Sequence, residues 1–262
     1  MIERIKFFLI SNVNQVISWL SLVIFFVIWE VISDFGIIEA YIISSPSEIY
    51  LAAIWLFNNG FWNDIAVSTI EFSLGFSLAL LVGIVGGIVL GWYDKVHAIF
   101  NYFISALYAT PRVALMPILI IWLGLGMSSK VAIVFLGAVF PILVNVITGI
   151  RAVDSNLLKC ARSFGASDRQ IFYSIALPNS LPFILTGIRL AIGRGLVGIV
   201  VGELVASTAG VGHMMSVAAS TFQTDKVFVG IILISTTGII LTSVMKYLEG
   251  HFSKWKNVEV DN

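Results

Sequence analysis

The sequence predicts an all-α polytopic membrane protein, and three observations lead there. Hydrophobic residues make up 58% of the chain and charged residues 11%, with a mean hydropathy of +0.99. A soluble domain carries about 25% charged residues. Six apolar runs are each long enough to cross the hydrocarbon, which takes about 20 residues. Lys and Arg gather in alternate connections between those runs, as topology in a bilayer requires. The 15 basic and 15 acidic side chains cancel, so only their placement is informative.

The spans are expected at 15–33, 66–91, 98–123, 129–150, 183–207 and 228–248, within one membrane domain covering 1–262. The first is expected to be retained: its apolar run is long, contains Trp19, Trp29 and Glu30, and lacks a small-residue cleavage site. Residues 34–65 read as a connection with acidic side chains but no Lys or Arg. Gly83, Gly86, Gly87 and Gly91 put small residues along the second span, and the Gly83/Gly87 spacing predicts a packing face within the bundle. Pro111 and Pro117 predict a kinked or broken third span, whose freed carbonyls neighbouring helices or water can satisfy.

Residues 151–182 are too polar for a bilayer and too patterned for a plain linker. Asp154 or Ser155 can cap a helix carrying Leu157, Leu158, Ala161 and Phe164 at helical spacing. Gly165 is placed to end it, since glycine takes the left-handed conformation of a C-terminal cap. Ser167-Asp168-Arg169-Gln170 is a capping box for a second short helix with Ile171, Phe172 and Ile175 on its apolar side; Pro178 and Pro182 are expected to end it. Beyond the fifth span, residues 208–227 form another connection, with a short helix expected over Met214–Ala219.

Charge placement orients the chain. Arg4, Lys6, Lys95, Arg151, Lys159, Arg162, Arg169, Lys246, Lys254 and Lys256 fall on one side, and only Lys130 and Lys226 on the other. The positive-inside rule then predicts both termini and 151–182 in the cytoplasm. Arg112, Arg189, Arg194, Glu30, Glu71 and Glu203 lie within spans or at their ends. A charge at mid-depth costs at least about 2.5–3.5 kcal/mol on insertion scales, so each must face protein or water. Arg112, Arg194 and Glu203 are candidates for a translocation path. The competing reading pairs each Arg with Glu71, Glu203 or a carbonyl freed at Pro117. Two uncompensated mid-depth arginines would favour a path for an anion.

Gly165, nine residues, Ile175, one residue and Leu177-Pro178 resemble the EAA loop of the permease subunits of binding-protein-dependent ABC importers. KCARSFGA resembles that family's EAARSLGA, with Lys159 in place of Glu and Cys160 in place of Ala. PSEI, ATPRVALMPILIIWLGLG, FPILVNVITGIRAVD and GIRLAIGRGLVGIVVGELVAS resemble the nitrate, sulfonate and taurine branch. The resemblance covers about residues 44–248. It implies a coupling loop that docks on a cytoplasmic ATPase subunit through Leu157, Leu158, Lys159, Ala161, Arg162, Phe164, Gly165, Ile175, Leu177 and Pro178. It also implies a second copy of the chain, an extracytoplasmic substrate-binding protein, and a bacterial or archaeal cytoplasmic membrane. The solute expected is a small anion such as a sulfonate, nitrate or bicarbonate, although the branch includes carriers of pyrimidine-type vitamin precursors.

Other functions fit less well. A stand-alone secondary transporter would need buried carboxylates for coupling ions, and would leave the structured 151–182 element without a task. A membrane enzyme would need a catalytic cluster, and no HExxH, paired-Asp or Ser/His arrangement is present. No GxxxxGK[ST] loop is present either, so ATP is expected on a partner, with no cofactor here. Cys160 is the single cysteine, and His97, His213 and His251 have no ligand-like neighbours, so neither a disulfide nor a metal site is expected. Nothing points to nucleic acid.

Overall fold

The computed structural model describes residues 2–35, 39 and 42–252. Lys254 and Lys256, counted above, lie outside the described residues. The described residues are helical, with no strand among them. Five helices are long and apolar enough to cross a membrane, and a sixth span follows if one sharply bent pair is counted as one. The chain is an all-α polytopic membrane protein. In order the helices are α1 (Ile2–Asp34), α2 (Pro46–Asn58), α3 (Phe61–Trp92), α4 (Asp94–Ala109), α5 (Met116–Leu123), α6 (Met127–Arg151), α7 (Ser155–Ser163), α8 (Asp168–Ile171), α9 (Leu177–Ala206), α10 (Val211–Ser220) and α11 (Thr224–Phe252).

Two compact units divide the chain. The first holds Met1–Phe61 and Met214–Ile232. Here the end of α1 is tied to the start of α2. The Trp29 indole N–H donates to the Ser44 carbonyl at 3.0 Å, and the Ser47 amide donates to Glu30 at 3.1 Å. Helix α2 occupies what reads as connection in the sequence. Ser45 and Glu48 form a capping box, and Pro46 sits in the first turn, where its missing N–H costs nothing. Ile49, Ala52 and Leu56 face inward. The Lys226 ammonium stands 3.9 Å from the centroid of the Trp55 ring.

The second unit holds Trp62–His213 and Leu233–Asn262. Its centre is the antiparallel pair α6 and α9, pressed close by glycines on both helices. A Cβ on Gly137 would lie 2.9 Å from the Arg194 carbonyl oxygen, and one on Gly198 would lie 3.2 Å from that of Ile133. Helix α3 runs parallel to α6 through the predicted glycine face. Gly83, Gly87 and Gly91 meet Ile142, Val146 and Ile150, where an added Cβ would approach to 2.9, 2.6 and 2.8 Å. Ala79, Ala138, Ile184 and Ala191 complete the core around them.

The third span breaks at Pro111. Thr110 takes an extended conformation, as a residue before proline prefers, and the arms on either side are bent by 92°. Pro117, expected to break the span as well, instead sits in the first turn of α5. The fifth span departs from its expected start at 183. Helix α8 does not stop at Pro178 or Pro182: it passes through a π turn (Phe172–Ala176) directly into α9, so Asp168–Ala206 is one continuous helical segment. The Leu177 amide donates to the carbonyl of Phe172, five residues back. The wider turn gives the Pro178 ring room where an α-turn would press it on the preceding carbonyl. Pro182 is carried inside α9.

Candidate functional site

Two constellations in the second unit answer the candidates named from the sequence. The first is the α7–α8 element. Asp154 caps α7 by accepting the Asn156 amide at 2.7 Å. At the far end the Gly165 amide donates to Arg162 O and the Ala166 amide to Ala161 O, with Gly165 at φ +80°. This is the paired bonding of a Schellman cap, and it needs the left-handed glycine. Ser167 and Gln170 then form the predicted capping box. Arg162 and Asp168 approach to 3.4 Å across the corner.

The element is anchored on one side and bare on the other. Ile171 is buried, and the Phe172 ring packs edge-on against Trp92 at 5.0 Å between centroids. Helix α7 buries none of its residues, and Phe164 is 87% exposed. Leu157, Lys159 and Arg162 are exposed as well, while Leu158, Ala161, Ile175, Leu177 and Pro178 are half-buried. Beside Phe164 lies a cavity of about 330 Å³ bordered by Gly165, Gln170, Ser174 and Ile175. A stiff, doubly capped corner with an apolar tip and a basic rim can dock into a groove on another protein.

The second constellation is a cavity of about 400 Å³ at the break of the third span. Arg112 and Arg194 both line it. The Arg112 Nη2 donates to the Tyr108 carbonyl at 3.0 Å, one of the acceptors released where Pro111 stops α4, not where Pro117 stands. Its guanidinium lies 5.4 Å from the Tyr108 ring and 5.7 Å from that of Phe140. Neither arginine meets a carboxylate among the described residues.

The carboxylates expected as their partners are engaged elsewhere. Glu71 pairs with Lys130 at 3.1 Å, both buried, and Lys130 also donates to Ser207 Oγ at 2.9 Å. Lys130, counted from sequence among the charges of the outer side, sits inside the bundle in the first turn of α6. Glu203 is not brought to the arginines. It accepts from the Ser68 hydroxyl at 2.5 Å and the Gly212 amide at 2.7 Å, holding the turn between α9 and α10. Arg189 meets Glu249 at 3.3 Å, and Glu249 also accepts from Thr186 at 2.7 Å. Sequence reasoning missed Lys130 and Glu249 as partners. Each lies within a turn or two of a helix end, and only that position could have flagged them.

The family model for binding-protein-dependent transport system inner membrane components matches residues 79–254. The putative aliphatic sulfonates transport permease protein of Bacillus subtilis is 35% identical over 231 residues, covering 88% of this chain and 84% of that protein. The formylaminopyrimidine transport permease protein of Halalkalibacterium halodurans is 31% identical over 230 residues, covering 88% and 92%. A chain from the crystal structure of an amino acid ABC transporter with histidines shares the fold at TM-score 0.55 and 16% identity, covering 77% of this chain and 96% of that one.

Proposed function

This chain belongs to the binding-protein-dependent transport system inner membrane component family, and from that premise we propose how it serves as the permease subunit of an ATP-driven importer. Two copies, each a single membrane domain over 1–262, enclose the translocation path. The α7–α8 element faces the cytoplasm, as do both termini, and docks on an ATPase subunit that binds the ATP. A binding protein on the outer side delivers the solute. Leu157, Leu158 and Phe164 supply the apolar contact, Lys159 and Arg162 its rim, and Ala161 and Gly165 the close turn. Ile175, Leu177 and Pro178 seat the element on the fifth span.

One observation carries this reading. Phe164 stands 87% exposed at the end of a helix capped at both ends. A rigidly presented aromatic in a polar connection is an anchor awaiting a pocket, and such anchors dominate small interfaces. The solute is an organic anion of the sulfonate kind, supported by the 35% identity to the sulfonate permease. A formylaminopyrimidine is the second reading, supported by the 31% identity to the Halalkalibacterium protein.

The test is co-purification. The tagged chain, extracted in mild detergent, should bring an ATPase with it. Phe164→Ala should weaken that association about thirtyfold, the effect of losing one anchor residue. Gly165→Val should also release the ATPase, because a β-branched residue is strained at positive φ; membrane abundance should hold. A chain that purifies alone and drives uptake in liposomes without ATP would be a stand-alone transporter.

A further inference from the structure

We propose that the cavity at the third-span break is an anion site, in which Arg112 and Arg194 together hold the charged head of the transported solute. The inference rests on the permease reading above and names where the solute binds. Three features support it. Two guanidinium groups line one open cavity beside the break in the third span, with no carboxylate paired to either among the described residues. The acids that might have neutralised them are committed: Glu71 to Lys130, Glu203 to Ser68 and the Gly212 amide, Glu249 to Arg189 and Thr186. Like charges facing a shared cavity repel, and a bound anion relieves them.

Arg112 is also fixed in place before any ligand arrives. One Nη is tethered to the Tyr108 carbonyl, and two aromatic rings flank the guanidinium. Its Nε is buried and has no partner. Arg194 is exposed and makes no described hydrogen bond, so its whole fork is available. Planar guanidinium forks match the oxygens of a sulfonate or carboxylate. Ala109, Val113, Ile133 and Val197 give the space apolar walls, and Tyr108 and Thr110 also line it. At about 400 Å³ the space suits a ligand of modest size. The chemistry is therefore an oxyanion head on a short aliphatic body.

A cysteine at Val197, in a Cys160→Ser background, reports on occupancy through its rate of labelling by N-ethylmaleimide, a neutral reagent. The probes are ethanesulfonate and the neutral ethyl methyl sulfone, at matched ionic strength, on the full chain in membranes. Ethanesulfonate should slow labelling in a saturable way, and the sulfone should not. Arg112→Gln or Arg194→Gln should each raise the half-protecting concentration about tenfold or more, the loss of one charge-assisted contact. Arg194→Lys should keep part of the protection, and melting temperatures measure any structural damage in each variant. Equal protection by the sulfone, full protection in both Gln variants, or no protection by ethanesulfonate overturns the site. Proteoliposomes carrying the complete importer separate this from failure of the function. ATP-driven uptake of ethanesulfonate without protection sinks the site alone, whereas no ATP-driven uptake of any solute sinks the permease mechanism itself.

Discussion

Lys130 and Glu71 show what a bilayer demands of single residues. Both are buried, 3.1 Å apart, and Glu71 Oε2 has no hydrogen-bond partner. The pair is thus only partly satisfied, and its stability depends on the Lys130 charge staying in place. Lys130→Met strands the Glu71 carboxylate and should cost about 3–5 kcal/mol, the penalty for breaking a buried pair from one side. Adding Glu71→Gln should return part of that loss: it removes the stranded charge, while buried Glu203, which interacts with both Glu71 and Lys130, remains. Thermal unfolding in detergent is the measurement. A Lys130→Met protein that melts with the wild type would mean that water reaches the pair. Ser207 adds to the arrangement, since its hydroxyl accepts from Lys130 and ties α6 to the segment that follows α9.

Between elements, glycine position decides how closely helices approach. Gly87 faces Val146, where an added Cβ would lie 2.6 Å from the valine Cβ, while Gly193 on α9 has nothing within 4 Å. Gly87→Ala should destabilise by about 1–3 kcal/mol through overpacking. Gly193→Ala should be neutral or stabilising by up to about 1 kcal/mol, because alanine gains helix propensity where there is room. Melting the two variants side by side tests this, and equal effects would mean that α3 and α6 are not in contact there. The α3 stripe was legible in the sequence because it needs only one helix's spacing. So were the caps at Asp154, Gly165 and Ser167, which depend on neighbours within a few residues. The continuity of α8 into α9 was not legible: Pro178 reads locally as a stop, and the π turn that absorbs it forms only with the helix built on both sides. Helix α2 carried its signal in Ser45, Pro46 and Glu48, but at 13 residues it is too short to cross the hydrocarbon and so reads as part of a connection. Arg112 and Arg194 could be recognised as costly, yet their shared cavity depends on α4 breaking at Pro111 beside α9, which no local pattern encodes.

At the scale of the whole chain, the placement of basic residues predicts orientation. Lys95, Arg151, Lys159, Arg162, Arg169 and Lys246 fall on one side of the span pattern. Only Lys130 and Lys226 fall on the other. Lys130 pairs with Glu71 and Lys226 lies over the Trp55 ring, while on the first side Arg151 pairs with Asp94 and Arg162 with Asp168. The positive-inside rule therefore predicts the α7–α8 element in the cytoplasm. Two exposed positions test this in a Cys160→Ser background: Asn59, at the end of α2, and Lys159, on α7. A membrane-impermeant thiol reagent added to intact cells should label Asn59→Cys and leave Lys159→Cys untouched. In inverted vesicles stripped of peripheral proteins with urea, the pattern should reverse, because a docked ATPase no longer shields α7. Labelling of Lys159→Cys in intact cells, with Asn59→Cys silent, would turn the chain over in the membrane. It would also put Phe164 on the side where no ATP is available, and the coupling role of the α7–α8 element would fall with the orientation.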